Sequence, residues 1–149
     1  MTALQLHSSA HLDIYSAQTD TELNLPLFEG VRAGFPSPAA DFIDVSIDLN
    51  KHLIKHPYAT FYARAKGDSM KDAGIFDGDL LIVDKSIDPA DGKIAICYVN
   101  GEFTVKRIKK TDEAVFLMPE NPSYAPIQIE PHNEFIIWGI VTYVIKQIK

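Results

Sequence analysis

Alternation of apolar and polar residues dominates the chain from residue 59 onward. This pattern predicts strands, because successive side chains of a strand point to opposite faces of a sheet. Turn sequences rich in Gly, Pro, Asp and Asn separate the alternating runs without intervening helical patterns, which favours an all-β body over a βαβ order. The runs predict strands near residues 59–66, 79–84, 93–99, 102–109, 114–118, 126–129 and 134–146.

Two glycine positions refine this β prediction. Asn100 and Gly101 stand between two alternating runs, and Asn-Gly at such a place is a strong signal for a two-residue hairpin. The last run, residues 134–146, is too long for an ordinary strand, and Gly139 within it indicates a bulge, or a bend where the chain passes between sheets. The pattern therefore predicts a curved sheet.

The part of the chain before these strands carries a different pattern. Residues 1–24 contain serines and threonines that break any regular repeat, which indicates a mobile N-terminal arm. Ser37, followed by proline, is typical of a helix start and predicts a short helix to about Val45. Asp48 predicts the cap of a second short helix, which Pro57 ends. The predicted fold is mainly β, with one or two short N-terminal helices and a flexible arm.

Composition is typical of a globular protein without a membrane span. The 149 residues, 46% of them hydrophobic, are enough for one domain with a core and an appendage. The formal net charge of −6 argues against direct nucleic-acid binding, which needs clustered Lys and Arg. A single cysteine, Cys97, cannot form an internal disulfide and indicates a reducing compartment. Since neither a signal peptide nor a run of about 18 apolar residues occurs, we expect a cytoplasmic protein.

Two histidine pairs stand four residues apart, His7 with His11 and His52 with His56. On a helix, such a pair can supply two ligands to a metal ion, but a zinc site needs at least a third, and none follows nearby. Solvated surface histidines are the better interpretation of both pairs. We therefore expect neither a metal nor another cofactor.

The candidate chemistry lies in a turn that carries Ser69. Residues 67–70 (GDSM) follow an alternating run, and a serine on a tight turn after a strand can expose its hydroxyl beside backbone N–H groups. Lys106 lies in a later alternating run, on the face shared with Thr104 and Ile108. A lysine on a partly apolar face has a lowered pKa and can act as a general base for a serine.

The same two residues also have a purely structural interpretation. Ser69 can be an ordinary turn residue that bonds its own backbone. Lys106 can be a charged edge position that blocks the addition of another strand. In that case the protein is a non-catalytic, β-rich binding module. Spacing alone does not distinguish this possibility from a catalytic site.

Five separated blocks of sequence occur in one order along the chain. They are residues 34–41 (GFPSPAAD), 47–50 (IDLN), 67–70 (GDSM), 77–84 (DGDLLIVD) and 100–106 (NGEFTVK). Together they resemble the UmuD-type, SOS-mutagenesis members of the LexA-like self-cleaving serine peptidases, the S24 family. The resemblance extends from about Leu25 to the C-terminus. It implies a curved β-sheet body of the LexA and UmuD type.

This resemblance implies a role for each candidate residue. Ser69 corresponds to the family's nucleophile, and Lys106 corresponds to the general base that activates it. The backbone N–H groups of Asp68 and Ser69 are the implied oxyanion donors. The implied enzyme is a serine peptidase that uses a Ser-Lys dyad to cut its own chain.

The resemblance also implies where the chain is cut. In this family the cut falls between a small residue and a glycine, which here are Ala33 and Gly34. The UmuD branch carries cysteine before that glycine, whereas the alanine here matches the LexA form. The cut would separate an arm, residues 1–33, from a peptidase and dimerisation domain, residues 34–149.

Partners and context follow from the same resemblance. The family's trigger for cleavage is the RecA filament on single-stranded DNA. The processed homodimer is implied to be the accessory subunit of an error-prone, Y-family (UmuC-like) translesion DNA polymerase in the SOS response to DNA damage. A LexA-type repressor is the alternative within the family. It needs a helix-turn-helix domain before the cut, but the 33 residues there lack helical periodicity and are not basic.

Overall fold

The regular structure consists of eleven strands and one short α-helix in residues 4–28 and 43–149, the part of the chain that a computed structural model describes. The strands are β1 (Gln5–Ser8), β2 (Leu12–Ser16), β3 (Asn24–Phe28), β4 (Ile43–Asp48), β5 (Thr60–Ala65), β6 (Leu80–Asp84), β7 (Ile94–Val99), β8 (Glu102–Lys110), β9 (Val115–Met118), β10 (Ile127–Gln128) and β11 (Phe135–Ile145), and the helix is α1 (Leu49–Leu53). Pro57–Ala59 and Lys71–Ala73 form single turns of 3-10 helix. The fold is mainly β, which confirms the prediction.

These elements belong to two compact units. The larger unit, Met1–Ala17 with His56–Lys149, contains a nine-stranded antiparallel sheet in the order β1-β2-β5-β6-β11-β7-β8-β9-β10. The smaller unit, Gln18–Lys55, contains the antiparallel pair β3-β4 and helix α1. Ser69 and Lys106 both belong to the larger unit, so this unit positions the candidate site.

Alternation along the central strands divides the apolar side chains between two clusters. Ile96 of β7 belongs to one cluster, whereas its neighbours Ala95 and Cys97 belong to the other. The pleat of a strand causes this division, because adjacent side chains leave the sheet on opposite faces. The first cluster also contains Leu12, Ile14, Ala63, Leu81, Val83 and Val105, and the second also contains Ile108, Leu117 and Ile140.

The strands predicted from residue 59 onward are all present, each within one residue of its predicted bounds. The predicted hairpin joins β7 to β8 at Asn100 and Gly101, and Val99 pairs with Glu102 beside it. Asn100 has φ +47° and Gly101 has φ +88°, as the favoured two-residue hairpin turn requires. This tight turn fixes the register of β8, and therefore the position of Lys106.

Gly139 lies at the bulge that the sequence predicts in the last strand. The pairing of β11 with β7 shifts register between Ile137 and Gly139, while β11 continues as a single strand. A Cβ atom added at Gly139 would lie 2.6 Å from Cγ1 of Val83, a residue with no exposed surface. Close packing against β6 therefore explains why a glycine is needed here.

We expect Gly139→Ala to lower the free energy of unfolding by about 1–3 kcal/mol, because overpacking a filled core displaces its side chains. Urea denaturation measures this change. The double variant Gly139→Ala/Val83→Ala is the control, since it removes the methyl group that the new Cβ would meet. The two substitutions together should destabilise less than the sum of their separate effects, and strict additivity would contradict the clash.

The helix predicted to run to about Val45 is wrong for its described residues. Ile43–Asp48 form strand β4, which pairs with β3. Their sequence, IDVSID, alternates apolar and polar residues, and this period of two outweighs the local signal for a helix start. The second predicted helix is present as α1. Oδ1 of Asp48 accepts a hydrogen bond from the N–H of Asn50 at 3.0 Å, and the helix ends at Leu53, earlier than predicted.

Part of the predicted N-terminal arm is built into the large sheet. β2 pairs with β5 from Leu12 opposite Ala65 to Ser16 opposite Phe61, and β1 pairs with β2. Leu12 is 0% exposed and Ile14 is 2% exposed. The sequence pattern predicts no strand in this segment, which is wrong for β1 and β2, whereas the removal of residues 1–33 as a mobile arm stays a prediction. Such short strands carry little local signal when their partner lies far along the chain.

Candidate active site

Ser69 lies in a turn that follows β5. Gly67 has φ +85°, in the left-handed region that favours glycine, and its N–H donates to Oδ1 of Asp77 at 2.8 Å. Met70 is 3% exposed and packs in the first core cluster. The 3-10 turn Lys71–Ala73 follows directly. Ser69 is thus fixed between a hydrogen-bonded glycine and a buried methionine.

The loop after β9 holds this turn through its backbone. The N–H of Glu120 donates to the carbonyl oxygen of Ser69 at 2.9 Å, and the N–H of Asp72 donates to the carbonyl oxygen of Glu120 at 2.8 Å. Nδ2 of Asn121 donates to the carbonyl oxygen of Asp68 at 2.9 Å. Asn121 is 4% exposed, so its amide is a buried polar group with a defined partner. These contacts fix the backbone that presents the serine.

We expect Asn121→Ala to lower the free energy of unfolding by about 1–3 kcal/mol, because it removes the donor from the carbonyl oxygen of Asp68. Urea denaturation measures the loss. Tyr124→Phe is the matched control, since it removes only the exposed hydrogen bond from the Tyr124 hydroxyl to Oδ1 of Asp68. The control should change stability by less than about 0.5 kcal/mol. Equal losses in the two variants would contradict a special role for the buried amide.

Lys106 of β8 directs its amine to Ser69. Nζ lies 3.2 Å from Oγ of Ser69, 2.7 Å from Oγ1 of Thr104 and 3.1 Å from the carbonyl oxygen of Val105. Lys106 is 7% exposed, and Ala95 stands opposite it in the β7–β8 pair. The sheet therefore buries the lysine opposite Ala95, with its amine beside the serine.

Burial lowers the pKa of Lys106, because removal from water disfavours the ammonium form. A thiolate at Cys97 would raise the pKa of Lys106 again. However, burial raises the pKa of Cys97 itself to about 12, so the thiol is neutral near physiological pH and this opposing effect is absent there. The free amine of Lys106 is therefore reached at a lower pH than that of a solvated lysine.

The three contacts of the Lys106 amine fit its neutral form. A neutral amine has two N–H bonds and one lone pair. The hydroxyl oxygen of Thr104 and the carbonyl oxygen of Val105 can accept the two N–H bonds, which leaves the lone pair for the hydroxyl proton of Ser69. In this form the serine donates to the lysine, and the pair has the arrangement of a nucleophile with its general base.

A cleft of about 760 Å³ opens beside Ser69 and Lys106, a volume typical of binding sites. Its walls include His11, Lys66, Glu102, Thr104, Tyr124 and Ile127. Within the described ranges, the backbone N–H groups of Asp68 and Ser69 have no hydrogen-bond acceptor. The carboxylate of Asp68 accepts the Tyr124 hydroxyl at 2.6 Å, and this hydrogen bond raises the pKa of Tyr124.

The structure brings Ser69 and Lys106 together from positions 37 residues apart. The bond assigned to cleavage, between Ala33 and Gly34, lies outside the described residues. Sequence reasoning missed Asn121, because its surroundings (PENP) read as a plain turn. Two prolines around a polar pair were the only local signal that the loop has a defined shape.

Other candidate features have simpler contacts. The described residues contain no helix long and apolar enough to cross a membrane. They also contain no group of three His, Cys, Asp or Glu side chains that could hold a metal ion. The ring of His7 packs edge-on against Phe103, with 4.7 Å between centroids. Nδ1 of His56 lies 2.6 Å from Oδ2 of Asp84.

Ser69 and Lys106 both lie in the part of the chain that matches a known protein family. The family model described as Peptidase S24-like matches residues 26–142, a range that contains Ser69 and Lys106. The chain belongs to the S24 peptidase family. This family is one of self-cleaving serine peptidases. Ser69 and Lys106 therefore both lie in a peptidase domain.

Three relatives of this protein match it over most of their own length. Protein SamA of Salmonella typhimurium strain LT2 is 44% identical over 133 residues, which cover 89% of this chain and 92% of SamA. Protein ImpA of Escherichia coli is 40% identical over 131 residues, 83% of this chain and 85% of ImpA. Protein MucA of Escherichia coli is 36% identical over 135 residues, 89% of this chain and 92% of MucA. They confirm the resemblance to UmuD-like SOS mutagenesis proteins.

Proposed function

We propose that this protein cuts its own chain between Ala33 and Gly34 with a dyad of Ser69 and Lys106. The observation that carries this proposal is the distance of 3.2 Å between Oγ of Ser69 and Nζ of Lys106, a lysine that is only 7% exposed. A buried amine beside a serine on a constrained turn is the combination that acyl transfer by a Ser-Lys dyad needs. Membership of the S24 family supports the same activity.

The reaction begins when Oγ of Ser69 attacks the carbonyl carbon of Ala33 and its proton passes to Nζ of Lys106. The backbone N–H groups of Asp68 and Ser69 donate to the oxyanion of the tetrahedral intermediate. The bond to the nitrogen of Gly34 then breaks, and the Lys106 ammonium returns the proton to that leaving amine. Water, deprotonated in turn by Lys106, hydrolyses the serine ester and frees the carboxylate of Ala33.

Tethering of the scissile bond to the same chain makes the reaction less dependent on a strong base. A solvated lysine has a pKa of ~10.4. Burial lowers the pKa of Lys106 below this value, so its free amine forms more readily than that of a solvated lysine. A tethered scissile bond has a high effective concentration at the serine, so slow chemistry suffices. The RecA filament on single-stranded DNA accelerates the cut if it shields Lys106 further from water and lowers its pKa.

The processed chain, residues 34–149, then serves as a homodimeric accessory subunit of an error-prone, Y-family (UmuC-like) DNA polymerase in the cytoplasm. Similarity to SamA, ImpA and MucA over more than four fifths of this chain supports this role. The formal net charge of −6 favours protein partners over direct contact with DNA. In this scheme, cleavage is the regulation and binding of the polymerase is the function.

Intact mass after incubation from neutral to alkaline pH tests the cleavage. Alkaline pH deprotonates Lys106 and so replaces the trigger. We expect a cut after Ala33 that becomes faster as pH rises and is absent from Ser69→Ala and Lys106→Ala. Equal cutting of Ser69→Ala would identify a contaminating protease. No cutting of the unchanged protein, even with an activated RecA filament, would refute the activity and leave a binding module.

A further inference from the structure

A hairpin covers the edge of β5, and it precedes the part of the chain that the S24 family model matches. That match begins at residue 26, whereas β2 occupies Leu12–Ser16. β2 pairs with β5 through five consecutive residue pairs, and β1 lies outside β2. The hairpin is thus an addition to the matched region, and its second strand completes the sheet at β5.

Apolar contacts hold β2 in place. Leu12 is 0% exposed and Ile14 is 2% exposed. Both belong to the core cluster that contains Ala63 of β5 and Leu81 of β6. Removing β2 would expose these apolar side chains together with the backbone edge of β5, which is unfavourable in water.

Polar contacts of one lysine strengthen the same attachment. Nζ of Lys66 lies 2.8 Å from Oδ1 of Asp13 and donates to the carbonyl oxygen of Ser9 at 2.7 Å. The N–H of Lys66 donates to the carbonyl oxygen of His11 at 2.9 Å. Asp13 is the middle residue of the pattern Leu-Asp-Ile, so β2 offers a carboxylate between two buried apolar side chains.

Inside the smaller unit, residues that precede the Ala33–Gly34 bond also contact residues that follow it. β3 and β4 form an antiparallel pair, and they lie on opposite sides of the Ala33–Gly34 bond along the chain. Nδ2 of Asn50, after the bond, donates to the carbonyl oxygen of Thr21, before the bond, at 2.7 Å. Hydrolysis of one peptide bond removes none of these contacts.

We propose that the edge of β5 is a strand-docking site that keeps Leu12–Ser16 bound after the chain is cut. The cut itself, between Ala33 and Gly34, is taken from the proposed function, and in this respect the inference rests on it. The first product is then a complex of two chains, and departure of the hairpin is a separate step. A strand that replaces β2 needs the same chemistry, with two alternate apolar residues and a carboxylate between them that reaches Lys66.

Departure of the hairpin has consequences that the cut alone does not have. Ala10 and His11 line the cleft beside Ser69, so the cleft loses this wall only when the hairpin leaves. The same step exposes the N–H and C=O groups of β5, which can pair with a strand from a partner. Strand exchange, and not hydrolysis by itself, therefore creates the new surface.

The test separates cutting from release. A recognition sequence for a sequence-specific protease is inserted between Ala17 and Gln18, the boundary of the two compact units, in a Ser69→Ala protein. Mass under denaturing conditions verifies complete cutting. Size-exclusion chromatography should then elute the hairpin and the body together in equal amounts. Elution of the hairpin apart from the body would overturn the proposal.

Variants locate the attachment. Leu12→Asp puts a charge in the core cluster, and Asp13→Lys reverses the pair with Lys66 without touching the core, so each should release the hairpin after the cut. Leu6→Asp is the matched control in β1, where Leu6 is 48% exposed, and it should retain the hairpin. Retention by both Leu12→Asp and Asp13→Lys would overturn the assignment to β2.

A competing peptide tests the exchange directly. A synthetic peptide of residues 4–17 in excess should displace the cut hairpin, and the same peptide with Leu12→Asp should not. Displacement by both peptides would contradict a site that is specific for the apolar residues of β2. Because the added protease does not depend on Ser69, failure of self-cleavage and failure of strand retention are distinguishable results.

Discussion

Replacing Lys106 with methionine is expected to slow self-cleavage by about 10²–10⁴-fold, the usual contribution of a general base. Nζ of Lys106 lies 3.2 Å from Oγ of Ser69, and burial lowers the pKa of Lys106, so this residue is placed to accept the serine proton. Methionine keeps an unbranched apolar side chain in the sheet and removes only the amine. First-order rate constants for the loss of intact mass measure the effect.

The rate of self-cleavage should increase with pH, as expected when the general base is a buried lysine. The rate rises with pH while the Lys106 ammonium loses its proton. It should level off below ~10.4, the pKa of a solvated lysine, because burial lowers the pKa of Lys106. Lys106→Arg keeps a positive charge that does not titrate in this range, so its rate should stay low at every pH.

Lys109→Met is the matched control, because it removes one positive charge from the same strand at a position away from Ser69. Lys109 lies in β8, as Lys106 does, but its side chain is exposed. This variant should cut at the unchanged rate and with the unchanged pH dependence. A Lys106→Met protein that also behaves in this way would contradict the dyad.

Leu12→Ala is expected to lower the free energy of unfolding by about 2–5 kcal/mol, the range for a buried leucine truncated to alanine. Leu12 is 0% exposed and packs in the first core cluster, although it belongs to a segment that precedes the S24 match. Urea denaturation in a Ser69→Ala background measures the change without interference from cutting. The loss arises because the side chain leaves a cavity among residues that cannot fully close it.

Leu6→Ala is the control from the same hairpin. Leu6 is 48% exposed, so its truncation should change the free energy of unfolding by less than about 0.5 kcal/mol. A small effect of Leu12→Ala, equal to that of Leu6→Ala, would mean that β2 does not contribute to the core in solution. That result would restore the interpretation of the N-terminal residues as a mobile arm.

Alternation sufficed to predict the strands after residue 59, because each run pairs with neighbours that also alternate. The Asn100–Gly101 turn and the bulge at Gly139 were predicted for a similar reason, since local backbone requirements select those residues. β4 was missed because its alternating residues follow a signal for a helix start, and the two patterns predict different structures for the same segment. β1 and β2 were missed because the serines and threonines around them obscure any repeat, and because the place of β2 in the sheet depends on β5, a distant partner.

The amino-acid sequence by itself determined the β class, the hairpin register that carries Lys106, the glycine-led turn of Ser69 and membership of the S24 family. Only the tertiary structure decided that the Lys106 amine is buried within 3.2 Å of Ser69. It also decided that Asn121, 53 residues from Asp68, holds the turn. Local patterns record the preferences of neighbouring residues, whereas burial, a lowered pKa and a loop clamp arise only when distant segments pack together.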